Sequence, residues 1–104
     1  MAFYLVEAEL KQDKLEKLKE KIKNKSFEDL KPFGKAITKS LENARYDPKE
    51  KKVLWEEEDY CSPPLKQEKA QVLNNYFKNL EIEKVNKGNG WKKIKNLPLL
   101  WENI

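Results

Sequence analysis

The chain has 104 residues, 22 basic and 18 acidic side chains for a net charge of +4, and 38% hydrophobic residues, which argues for one domain over residues 1–104 with a single modest core. No stretch is apolar for long enough to span a bilayer, and one cysteine, Cys61, allows no internal disulfide. The complete lack of histidine removes His-based dyads and triads and the usual zinc and non-haem iron ligand sets.

Residues 3–10, FYLVEAEL, alternate as a strand, with Tyr4, Val6, Ala8 and Leu10 on the better core face and Phe3, Leu5, Glu7 and Glu9 on the other. Asp13 and Glu16 resemble a capping box that opens a helix, and Leu15, Leu18 and Ile22 give that helix one narrow buried stripe. Asn24 is its expected stop. Ser26 to Asp29 is a weaker cap signal for a short helical turn ended by Pro32.

Residues 33–47 admit two readings. Phe33, Ile37, Leu41 and Ala44 fit helical spacing, while Ile37, Thr38, Leu41 and Tyr46 also suit an extended segment. The extended reading is favoured: Gly34 disfavours a long helix, and the strand that follows needs a partner. That partner strand would carry Lys39 and Arg45. Asp47-Pro48-Lys49-Glu50 is the turn, and Lys52 to Tyr60 is the third strand.

Pro63 and Pro64 lead into a second helix, Leu65 to about Lys78, with a stripe of Leu65, Lys69, Val72, Leu73, Tyr76 and Phe77. Leu80 to Val85 alternates as a last strand, and Gly88-Asn89-Gly90 reads as a turn. The tail, about 86–104, carries Trp91, Ile94, Leu97 and Trp101 at spacings that let it dock on the domain or on a second subunit.

The order strand, helix, strand, strand, helix, strand is an α+β, ferredoxin-like βαββαβ plan: a four-stranded antiparallel sheet with two helices on one face. With the FYLVEAEL and VLWEEEDY strands, this order resembles small α+β barrel proteins that dimerise by packing their open sheets face to face. The resemblance covers about 3–85. It implies a homodimer through the open sheet face and a small-molecule site between sheet and helices or inside the barrel. It carries over no catalytic residue.

In such a sheet the acids of the first and last strands share the open face with two from the third strand. These are Glu57 and Asp59, beside Val53 and Trp55, or Glu56 and Glu58, beside Leu54 and Tyr60. Carboxylates gathered there either stay solvated, pair with Lys39, Arg45 or the tail lysines, or receive a polar or cationic small molecule or a hard metal ion. The ligand-binding candidates are therefore Glu7, Glu9, Glu57, Glu58, Asp59, Tyr60 and Arg45. No metal ligand set and no cofactor is expected. Cys61, preceded by four acids and without a histidine to activate it, reads as an unreactive side chain.

The tail holds the strongest basic patch. Lys87, Lys92, Lys93 and Lys95 surround Trp91, the arrangement that binds single-stranded nucleic acid by charge and stacking. Against that role stands the near-absence of arginine: every basic residue except Arg45 is lysine. A cytoplasmic, non-catalytic, homodimeric binding or assembly module is the first expectation. A small-molecule or cation binder on the acidic face is the second, and a weak nucleic-acid binder through Lys84 to Lys95 the third.

Overall fold

A computed structural model describes residues 2–31, 33–59 and 64–103. Pro32, Tyr60, Cys61 and Pro63, each given a role by the sequence, lie outside the described residues.

The architecture is α+β. Strands β1 (Ala2–Leu10), β2 (Arg45–Asp47), β3 (Lys52–Asp59) and β4 (Phe77–Val85) form one sheet in the order β2-β3-β1-β4, every neighbouring pair antiparallel. Helix α1 (Leu15–Lys23) follows a 3-10 turn at Gln12–Lys14, and α2 (Gly34–Glu42) follows another at Ser26–Asp29. The helical segment α3 runs over 66–76, with π-helical turns at Lys69–Leu73. The tail forms α4 (Asn89–Ile94) and α5 (Leu100–Asn103).

Strand alternation sets up two faces. Val6 lies opposite Trp55 and Ile82, and Ala8 opposite Val53, so these side chains share one face. There they join Leu18 and Ile22 of α1, Ile37 and Leu41 of α2, and Val72 and Leu73 of α3 in one buried cluster. Trp55 is fully buried, and its ring meets Phe77 at 5.1 Å. Burial of an aromatic of this size contributes on the order of 3 kcal/mol.

Residues 34–42 are helical, so the extended reading of this region is corrected. Its strand shrinks to Arg45–Asp47, and Lys39 sits on α2 rather than on a strand. Gly34, read as a helix breaker, is there for close approach. A Cβ at this position would lie 2.1 Å from the Phe27 carbonyl oxygen. The helix also compensates for the short strand. β2 pairs only with residues 52–54 of β3, and Ser40 Oγ of α2 donates to the Glu56 carbonyl farther along that edge at 2.9 Å.

Helix caps also depart from expectation. Neither Asp13 nor Ser26 makes a capping hydrogen bond: Asp13 lies inside the 3-10 turn before α1, and Ser26 is the first residue of its turn, with Lys25 at the cap position. Phe77 begins β4 instead of ending a helix, yet stays buried. The turn after Asp47 follows the sequence: Asp47 Oδ1 accepts from the Lys49 and Glu50 amides at 3.0 and 3.3 Å.

The tail docks on its own domain. Tyr46 N–H donates to the Pro98 carbonyl, Leu100 N–H to Ala44 and Trp101 Nε1–H to Leu41, at 2.9, 2.9 and 2.7 Å. Leu99 bridges to Arg45, so the tail lies along the outer edge of β2. Leu54 and Ile94 are buried outside the main cluster. No helix among the described residues is long and apolar enough to cross a membrane.

Candidate functional site

The acidic run of β3 is a strand whose carboxylates alternate between the two faces. Tyr4 lies opposite Glu57 and Ala2 opposite Asp59, which puts Glu57 and Asp59 on the helix-covered face with Trp55. Leu5 lies opposite Glu56 and Phe3 opposite Glu58, which puts Glu56 and Glu58 on the other face. There they join Glu7, Glu9, Glu81 and Glu83, so six carboxylates occupy that face.

That face is only partly open, because the tail crosses it. Glu56 is 5% exposed and accepts from the Gly88 and Gly90 amides at 2.9 and 2.7 Å, which fixes the start of α4 over β3. Two charge-assisted bonds of this kind hold the loop by roughly 3 kcal/mol or more. Gly88, at φ 84, supplies the left-handed turn. Gly90 supplies clearance, since a Cβ there would stand 2.8 Å from Glu56 Oε1.

Between α2 and residues 87–95, over β1 and β3, lies a cleft of about 780 Å³. Lys39, Arg45, Lys87, Lys92 and Lys95 line it, with Glu56 and Glu58 as the only acids among the described residues. Phe3 and Trp91 add aromatic faces, and Lys87 Nζ sits 6.0 Å from the centre of the Phe3 ring. Arg45 is held in place, its Nη1 donating to the Leu97 carbonyl at 2.8 Å. Five cations against two carboxylates among the described residues make this an anion-attracting concavity.

The sequence candidates therefore divide. Arg45, Glu58, Lys87, Trp91, Lys92 and Lys95 meet in the cleft. Lys93 turns away to Glu83, 3.1 Å distant. Glu7 stands outside the cleft with Lys52 at 3.3 Å, a contact that holds the Lys52 ammonium above its ordinary pKa. Glu9 accepts from Asn79 Nδ2 at 2.6 Å. Glu7 and Glu81 line only a small notch of about 160 Å³. Tyr60 lies outside the described residues. Among the described residues no group of three or more His, Cys, Asp or Glu side chains is placed to hold a metal ion.

Glu57, Asp59 and Glu68 form a second cluster, buried inside the protein at 1%, 4% and 1% exposure. Trp55 Nε1–H donates to Glu57 Oε1 at 2.8 Å, and the Leu65 amide donates to Asp59 Oδ2. Burial pushes Glu57 up to about 8. The Trp55 hydrogen bond opposes this, and the charges of Glu68 and Asp59 reinforce it. Burial likewise raises Glu68 to about 7, with Asp59 adding to the rise. Among the described residues no donor reaches Glu57 Oε2, and a carboxyl proton supplies one.

The sequence reading missed Glu68. Its position carried a signal: it stands three residues after Leu65 and four before Val72, within the buried stripe of α3. Ser40 and Asn43, which also line the cleft, were missed because their segment was read as extended.

Comparison with protein-family models, curated proteins and solved structures gives no match.

Proposed function

We propose that this chain is a small binding module whose cleft between α2 and the tail takes an anionic ligand. The carrying observation is that Lys39, Arg45, Lys87, Lys92 and Lys95, from three separate parts of the chain, converge on one concavity that also presents Trp91. A cleft of this volume suits a ligand of small-molecule size, with aromatic walls for contact and a few charges for orientation. Binding is favoured over catalysis because a chain without histidine lacks the side chain most used for proton transfer near neutral pH.

The proposal includes the ferredoxin-like βαββαβ plan. Strands β1 and β3 at the sheet centre and helices after β1 and β3 support it, with α2 and the tail as additions. A cytoplasmic setting belongs to the same reading, supported by the single cysteine.

The test is binding of inorganic polyphosphate at low salt. Lys92→Glu together with Lys95→Glu should abolish it. Lys14→Glu together with Lys17→Glu should not, because these line a smaller basic notch of about 350 Å³ elsewhere. Loss of binding only in the second pair would move the site to that notch and end the proposal.

A homodimer through the sheet face is the second reading. It is favoured by Leu5 and Val85, which stay partly exposed on β1 and β4. Sedimentation of the Leu5→Lys variant tests it: a parental dimer that becomes a monomer supports it, and a monomeric parent removes it.

A further inference from the structure

We propose that the cleft binds single-stranded nucleic acid, one base stacking on the Trp91 indole and the neighbouring phosphates lying along Lys39, Lys87, Lys92 and Lys95. This rests on the anionic-ligand reading above and narrows it to a ligand class.

Three observations carry the step. The first is the pairing of aromatic and cation. Trp91 is half-buried: it packs against the main core and also lines the cleft. Phe3 lies in the same cleft beneath the Lys87 ammonium. A nucleotide unit needs a flat apolar face for its base and a cation for its phosphate, and stacking of this kind tolerates any base.

The second is the amount of charge. Five cations exceed what one phosphate monoester requires, and they come from α2, β2 and the tail, on different sides of the cleft. That spread suits a backbone passing through, with several phosphates, better than a single free nucleotide. Glu58 adds a negative group among the β3 contributions, so the phosphate path follows the lysines of α2 and 87–95.

The third is the choice of cation. Arginine is the side chain for bidentate reading of base edges, and the lone arginine here is tied to the Leu97 carbonyl. Lysine contacts phosphate as a mobile point charge. The near-absence of arginine therefore stands against sequence readout, and leaves lysine contact with phosphate, which tolerates any sequence. A duplex fits worse than a single strand, because its bases are already stacked on one another.

The experiment measures fluorescence anisotropy of the full chain with three probes at low salt. These are a fluorescein-labelled single-stranded oligouridine 12-mer, an abasic 12-mer of equal charge, and free uridine monophosphate as competitor. The oligouridine should bind at least fivefold tighter than the abasic strand, and the monophosphate should compete only at far higher concentration. The slope of log affinity against log salt should be no steeper than about −2.8, from about −0.7 for each of up to four phosphates neutralised.

Trp91→Leu keeps an apolar side chain for packing while removing the stacking face. It should weaken oligouridine binding roughly tenfold and leave abasic binding unchanged. Equal binding of the two strands would overturn the nucleic-acid inference and leave the anion cleft standing. A monophosphate that binds as tightly as the oligomer would overturn the strand in favour of a free nucleotide. No binding of either strand, with polyphosphate still bound, would overturn this inference alone; loss of polyphosphate binding as well would overturn the reading beneath it.

Discussion

Replacement of Glu57 by glutamine tests the buried carboxyl pair. Glu57 is 1% exposed, burial lifts it from an ordinary 4.5 to about 8, and Glu68 beside it rises to about 7. The folded protein thus keeps a proton that the unfolded chain has already released. Stability is full below about 4.5, falls as pH rises, and levels off once pH passes the raised values. Each such proton removes about 1.4 kcal/mol of unfolding free energy per pH unit, or roughly 3 kcal/mol between pH 5 and 7. The two carboxyls titrate as a pair, so the slope belongs to the pair rather than to either residue.

The chain has no histidine, so the side chain that ordinarily titrates in this window is missing. The Glu57→Gln variant keeps an acceptor for the Trp55 indole and carries an amide N–H where the proton was. Wild type and variant should be similarly stable at pH 5, and the variant more stable by roughly 3 kcal/mol at pH 7.5. Urea unfolding at pH 5, 6, 7 and 8 and constant ionic strength, followed by tryptophan fluorescence, measures this. A wild-type stability that is flat from pH 5 to 7.5, or a variant with the parental slope, refutes the reasoning.

Other substitutions probe the elements that build the cleft. Gly34→Ala puts a methyl 2.1 Å from a backbone oxygen, and should cost about 3 kcal/mol or more in denaturant titration, at the level of severe overpacking. Gly90→Ala presses on the Glu56 side chain at 2.8 to 3.2 Å. It should loosen residues 88–94 by about 1–2 kcal/mol, seen as faster amide exchange there with little change in β1. Glu56→Gln removes the charge that holds the Gly88 and Gly90 amides, costs about 1–2 kcal/mol of the same local stability, and should lower polyanion affinity through a mobile Trp91.

Much of this could be read in the sequence, and the gaps have physical causes. The period-2 patterns of β1 and β4 correctly assigned Val6 and Ile82 to one face and Glu7 and Glu81 to the other. The parity of β3 was not legible, because Glu57 with Asp59 and Glu56 with Glu58 are equivalent sets until a register is fixed. That register depends on Val6 meeting Trp55, a contact across 49 positions of chain. Gly34 was misread because its reason, the Phe27 carbonyl pressed against it, is a tertiary contact. The tail showed its wish to dock through Ile94 and Trp101, but not where. Its anchors are a β3 carboxylate and the open edge of β2, which exist only once the sheet has formed.

The most direct test of the central claim, that the cleft beneath the tail is the binding surface, is a ¹H–¹⁵N titration of the full chain with the single-stranded 12-mer. The account predicts progressive shifts confined to Phe3, residues 36–45, residues 56–58 and residues 87–95. Shifts centred on Lys11, Lys14, Lys17 and α3, with residues 87–95 unmoved, would contradict it.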